Sequence, residues 1–158
     1  MSKEHPSQAD FFARHPELRL APETILALVK DAVISREKAY APYSHYPVGA
    51  AVLTKSGKVF GGFNVENAAY TTTIHAEQAA IIRAIAGGEL KEGRKFIKAL
   101  AVVHDGNTMP CGICRQMILE FCDDALIINA NPQSKILGIS CLSELLPHAF
   151  GPSDLEVK

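Results

Sequence analysis

His75-Ala76-Glu77 and Pro110-Cys111-Gly112-Ile113-Cys114 are the residues of this 158-residue chain whose types and spacing could do chemistry. Cys111 and Cys114 are three apart, so on a helix their sulfurs share a face and can share a metal. A helix N-terminus carries unpaired N–H groups and a partial positive charge, which favours the thiolates that zinc binds. Pro110 suits such a first turn. His75 offers a third ligand from another helix, and three protein ligands leave a fourth tetrahedral position for water, as in a catalytic zinc site. Glu77, two residues after His75, is not needed as a ligand and can act as a general acid and base on that water. Taken singly, each motif has a plainer reading. A Cys-x-x-Cys is also a redox pair or half of a structural zinc knuckle, and a lone His on an apolar helix is an ordinary core residue. The combination, each motif opening a buried helix after a strand, points to catalytic zinc. Cys122 and Cys141 lack chelating spacing and read as core cysteines; His5, His15, His45, His104 and His148 read as ordinary histidines.

The elements that must position these residues follow from periodicity. Pro22 opens a helix in which Ile25, Leu28, Val29, Ala32 and Val33 recur at helical spacing to about Tyr40, before Pro42 stops it. Val48 to Leu53 and Val59 to Val65 flank Lys55-Ser56-Gly57-Lys58, a hairpin signal. From Ile74 a helix apolar on most faces, hence buried, runs to Gly87-Gly88. Phe96 to Val103 reads as a strand, Cys111 to Phe121 as a second buried helix, and Ala125 to Ala130 as another strand. Lys135 to Cys141 is a weaker fifth strand, and Ser143 to Leu146 starts a short helix. This order predicts an α/β fold: three layers, α/β/α, around a mixed five-stranded sheet. Met1 to Arg19, polar and carrying Pro6 and Pro16, is expected to be an extension, partly disordered, ahead of one catalytic domain over residues 20–158.

The length fits a single domain of ~100–200 residues. Sixteen Lys+Arg against seventeen Asp+Glu give a net charge of −1, which excludes a dedicated nucleic-acid binder and weakens a membrane-surface reading. No apolar run approaches the ~20 residues that span a bilayer. The polar start lacks the apolar segment of a signal peptide, so the chain is expected to be cytoplasmic. Cysteines there are normally reduced, which favours metal ligation over disulfides.

The H-x-E and P-C-x-x-C pairing is a zinc nucleobase-deaminase signature, and the chain resembles the short, single-domain cytidine deaminases. The resemblance rests on Ala41 to Ala50 (APYSHYPVGA), Asn64 to Tyr70 (NVENAAY), His75-Ala76-Glu77-Gln78, Pro110 to Gln116 (PCGICRQ) and the Leu146 to Leu155 tail with its Phe150-Gly151-Pro152-Ser153-Asp154-Leu155. It implies one zinc ion per subunit on His75, Cys111 and Cys114, with Glu77 as the catalytic acid and base. It also implies Asn64 and Glu66 on the ribose 3′-hydroxyl and Tyr46, where the family usually has Phe, against the pyrimidine. The Ala76 backbone N–H is expected on the base carbonyl, and main-chain carbonyls around Met109 and Cys111 on the amino group. Phe150 is implied to enter a neighbouring subunit's site in a homotetramer with shared active sites. Two departures occur together: the commoner short-form pattern has Cys for His75 and Arg for Gln78. Two thiolates and an imidazole leave zinc at net zero, so a neutral Gln78 makes electrostatic sense.

The expected activity is hydrolytic deamination of cytidine and deoxycytidine to uridine and deoxyuridine, a hydrolase reaction of pyrimidine salvage that releases ammonia. Two other readings stand beside it. A deaminase of a related nucleoside or antibiotic such as blasticidin S would depend little on Asn64 and Glu66. A non-catalytic, zinc-stabilised oligomer would leave Glu77 without a task. No stable nucleic-acid or membrane partner is expected.

Overall fold

Five apolar runs become strands in the computed structural model, which describes residues 7–155: β1 (Gly49–Thr54), β2 (Val59–Phe63), β3 (Ile97–Val103), β4 (Leu126–Ala130) and β5 (Ile136–Cys141). They form one sheet in the order β2-β1-β3-β4-β5. The pair β3/β4 is parallel, and the other neighbours are antiparallel. The mixed five-stranded sheet is as expected. Helices α1 (Gln8–Arg14), α2 (Pro22–Arg36), α3 (Ala76–Ala86), α4 (Gly112–Glu120) and α5 (Leu142–Leu145) complete the regular structure, with short 3₁₀ turns between.

Strand side chains alternate between faces, so a sheet covered on both sides needs strands apolar at nearly every position. The central strands meet that demand. Ala99, Ala101 and Val103 of β3 join Ala51, Leu53 and Ile128 in a core with Leu28, Val29 and Ala32 of α2. Leu100 and Val102 join Ala50, Val52 and Ile127 in a second core with Ala80, Ile81 and Ala84 of α3 and Ile118 of α4. The result is the three-layer α/β/α arrangement.

The structure departs from the sequence reading at two ends. Helix α2 stops at Arg36, four residues short of Tyr40. Tyr40 is drawn into sheet-like pairing: its N–H donates to the Asn64 carbonyl (3.0 Å), and its carbonyl accepts from Glu66 N–H (2.8 Å). The expectation of a polar extension over Met1 to Arg19 falls partly on residues 1–6, outside the described residues. Beyond them α1 starts at a Ser7 cap, whose side chain accepts from Asp10 N–H at 3.2 Å. Phe11 is fully buried and Phe12 nearly so, both in the α2-side core.

Candidate active site

Both motif helices point their N-termini at one place. His75 is the cap residue of α3 and Cys111 that of α4, and Cys114 lies in the first turn of α4. Gly62 of β2 allows this seating. A Cβ there would collide with the α3 backbone at Ala76 and Ala80, so only glycine lets the first turns of α3 lie directly on the sheet. Gln78 secures the cap by accepting from the His75 N–H at 2.9 Å, the reciprocal half of a capping box. Gln78 therefore closes a helix end, a role beyond the charge argument made from sequence. Arg115 braces the other helix: Nε donates to the Pro110 carbonyl (2.6 Å) and one Nη to the Leu145 carbonyl (2.8 Å).

His75 Nδ1 lies 3.3 Å from both the Cys111 and the Cys114 sulfur. Tetrahedral zinc, with bonds of about 2.3 Å to sulfur and about 2.0 Å to nitrogen, sets such atoms about 3.5 Å apart. The donor set fits zinc in chemistry and in spacing. Cys114 is fully buried. Burial first, then the charges of Glu77 and Cys111, push its thiol well above the ordinary range, so its thiolate requires a cation at hand. Zinc is the cofactor these residues hold.

In front of the three ligands opens a cavity of about 450 Å³. Tyr46, Asn64, Glu66, His75, Ala76, Glu77 and Cys111 all line it, with His104 and Met109. Glu77 is only 5% exposed, its carboxylate on the cavity wall beside Cys114. Ala76 is the first residue of α3, where an N–H has no helical acceptor. Asn64 is buried and does structural work in the wall: Oδ1 accepts from Val48 N–H (2.9 Å), and Nδ2 donates to the Tyr46 carbonyl (3.0 Å). Glu66 Oε2 accepts from the N–H groups of Tyr43 (2.9 Å) and Ser44 (3.2 Å). Its carboxyl is held below the usual range, chiefly by the Ser44 side chain and, against a desolvation cost, by those two backbone donors. Phe150 is not brought to this cavity. It stands in a separate surface groove with Gln116 and Phe121, is 61% exposed, and its carbonyl accepts from Gln116 Nε2 at 2.9 Å.

The sequence matches a family model described as the cytidine and deoxycytidylate deaminase zinc-binding region over residues 22–130. The chain belongs to this deaminase family. Among curated relatives, a cytidine deaminase of Sporosarcina psychrophila is 40% identical over 130 residues, covering 81% of this chain and 92% of the relative. One of Halalkalibacterium halodurans is 44% identical over 131 residues, covering 81% and 95%. A crystal structure of cytidine deaminase from Burkholderia pseudomallei superposes with a TM-score of 0.72 at 40% identity, covering 83% of this chain and all of that one. The deaminase fold and zinc as its cofactor thus agree across sequence, family and structure.

His104, read from the sequence as an ordinary histidine, is a wall residue of this cavity. Buried at the end of β3, it binds the Tyr46 hydroxyl and faces the cavity. Its place just past the end of β3, upstream of the Pro-Cys motif, is the only sequence feature that sets it apart from the other histidines.

Proposed function

We propose that this protein is a cytidine deaminase that hydrolyses cytidine and deoxycytidine to uridine and deoxyuridine with release of ammonia. The observation that carries the reading is Glu77, a buried carboxylate on the wall of one cavity beside three zinc ligands. Bound zinc supplies Lewis-acid polarisation of a water and lowers its pKa towards neutrality. Glu77 takes the proton from the attacking water at a carboxylate oxygen and delivers it to N3 of the base. As the water oxygen bonds to C4, Glu77 takes the remaining proton of that oxygen and gives it to the C4 amine. The C4–N bond then breaks, ammonia leaves and a carbonyl stays at C4. The Ala76 N–H binds the base carbonyl, Tyr46 covers the ring face, and Asn64 and Glu66 hold the ribose 3′-hydroxyl. Asn64 keeps one N–H beyond the donor it uses on Tyr46, which leaves it able to do so.

The charge of the cavity favours a nucleoside over a nucleotide. Among the described residues lining it are two glutamates and neither lysine nor arginine. A substrate phosphate would face carboxylates with no lysine or arginine side chain in the lining to pair with. The relatives named cytidine deaminase support the same choice.

We further propose a homotetramer that shares its sites, with Phe150 completing a neighbour's cavity. The support is the exposure of Phe150 together with that of Tyr43, Tyr70 and Ile113, large side chains that neighbouring subunits would cover. The reading also holds the enzyme to be cytoplasmic, to serve pyrimidine salvage, and to occupy residues 20–158 with its catalytic domain. Among the described residues no helix is long and apolar enough to cross a membrane. Parallel ammonia-release assays on cytidine, deoxycytidine, cytosine, cytidine monophosphate and blasticidin S test the substrate class. Turnover of both nucleosides and little of the other three is expected; preference for the monophosphate would overturn the charge argument.

A further inference from the structure

Tyr46 stands where the resemblance leads one to expect Phe, and its hydroxyl has a specific partner. It lies 2.7 Å from His104 Nδ1, with the two rings 5.7 Å apart and tilted. The same nitrogen accepts from the Gly106 N–H at 2.9 Å. On the other side of the ring, Nε2 lies 2.9 Å from the Thr108 carbonyl, which can only accept. The network therefore fixes one tautomer: Nε2 carries the proton, and Nδ1 accepts from both the tyrosine and the backbone. The turn is shaped around the pair. A Cβ on Gly106 would lie 2.7 Å from the Tyr46 hydroxyl and 3.2 Å from Nδ1.

The two partners belong to different segments, one leading into β1 and one leaving the neighbouring β3. Tyr46 lies on the 43–48 segment, whose backbone is held by Glu66 and Asn64. His104 opens the 104–110 segment, which leads to the ligand Cys111. Arg36 makes a second link across the same gap, from Nε to the Pro47 carbonyl at 3.0 Å and from its Nη to Asp105. We infer that His104 is a positioning residue: acting through the Tyr46 hydroxyl, it fixes the ring that covers the substrate base and ties the ring's segment to the one that leads to Cys111. The inference rests on the nucleoside reading above. Phenylalanine at position 46 could stack equally well but could not be latched, so the hydroxyl and the imidazole work as one unit.

Four variants separate this role from general packing. Gln at 104 can still donate to the Thr108 carbonyl but offers no acceptor at the Nδ1 position, whereas Asn keeps an acceptor there and gives up Thr108. His104→Gln and Tyr46→Phe should each raise KM for cytidine about three- to tenfold, the fold equivalent of one hydrogen bond, with kcat within about twofold of wild type. The double variant should be no worse than His104→Gln alone, because that substitution already removes the Tyr46 contact along with the Gly106 one. His104→Asn should return KM to within about twofold of wild type. Independent, multiplying losses, or Asn behaving no better than Gln, would overturn the inference. Nitrogen-15 NMR of the imidazole provides a readout free of turnover. It should show a protonated Nε2 and an Nδ1 resonance that moves in Tyr46→Phe; a protonated Nδ1 overturns the pairing outright. An inactive wild type that keeps this signature would sink the substrate reading and not the pairing.

Discussion

Glu77 combines burial with proximity to the metal ligands, and its chemistry is separable from both. Glutamine is isosteric and is not required for ligation, so Glu77→Gln should bind zinc and fold as wild type does while losing the proton transfer. The expected loss is at least ~10²–10⁴-fold in kcat. Zinc content by atomic emission and ammonia release, measured on one preparation, check both halves; more than about a tenth of wild-type turnover contradicts the role. Asn64 illustrates how one side chain can serve two ends. Its amide braces the Tyr46–Val48 backbone, so a truncation there disturbs the wall as well as any ribose contact.

At the scale of elements, one contact seats the α3 ligand helix and a second docks α1. The first is the seat of α3 on β2. Gly62→Ala would push a methyl into the α3 backbone at Ala76 and Ala80, and overpacking of this kind costs ~1–3 kcal/mol. The displaced turn carries His75, so zinc affinity should fall along with the denaturation midpoint; a chelator titration that matches wild type would show that the seat does not govern the ligand. The second contact docks α1. Glu144 Oε1 meets Arg14 (2.7 Å) and His15 Nε2 (3.1 Å), and Oε2 accepts from Ser140 (2.9 Å). Desolvation opposes ionisation of Glu144, but Arg14, His15 and Ser140 outweigh it and hold the carboxyl down at about 2. A carboxyl lowered on folding contributes stability that is complete above its unfolded value and is lost as pH falls towards the folded one. The stability gap between wild type and Glu144→Gln should therefore be full near neutrality and close between about pH 4.5 and pH 2. Urea midpoints across that range test it, and a gap that widens on acidification would refute the assignment.

At the scale of the whole molecule, the shared-site proposal makes Phe150 a group that serves another subunit. A ring 61% exposed on its own chain contributes little to its own core, so Phe150→Ala should fold normally and lose activity. Mixed with Glu77→Gln, it should regain activity: in a mixed tetramer a Phe150→Ala subunit keeps Glu77 and receives Phe150 from its neighbour. Ammonia release after co-refolding at several ratios, with mass measurement of the assemblies, gives the result. Activity that merely averages the parents despite confirmed mixing would make Phe150 a residue of its own subunit.

What the sequence by itself determined is local and periodic. The continuous apolar runs of β1, β3 and β4 demanded a sheet covered on both faces. The ligand spacing of Cys111 and Cys114 and the nearness of Glu77 to His75 pointed to zinc chemistry before any fold was known. Tertiary contacts decided the rest. Tyr40 continues an apparently helical pattern, yet it pairs with the Asn64–Glu66 backbone, because strand-like hydrogen bonds to a distant segment outweigh local propensity. Phe11 and Phe12 sit in a segment that looks polar overall, and only the exposed edge of the α2-side core gave two aromatic rings somewhere to go. The convergence of His104 on Tyr46, 58 positions away, left no periodic trace: a hydrogen bond between two loops depends on where the strands beneath them end.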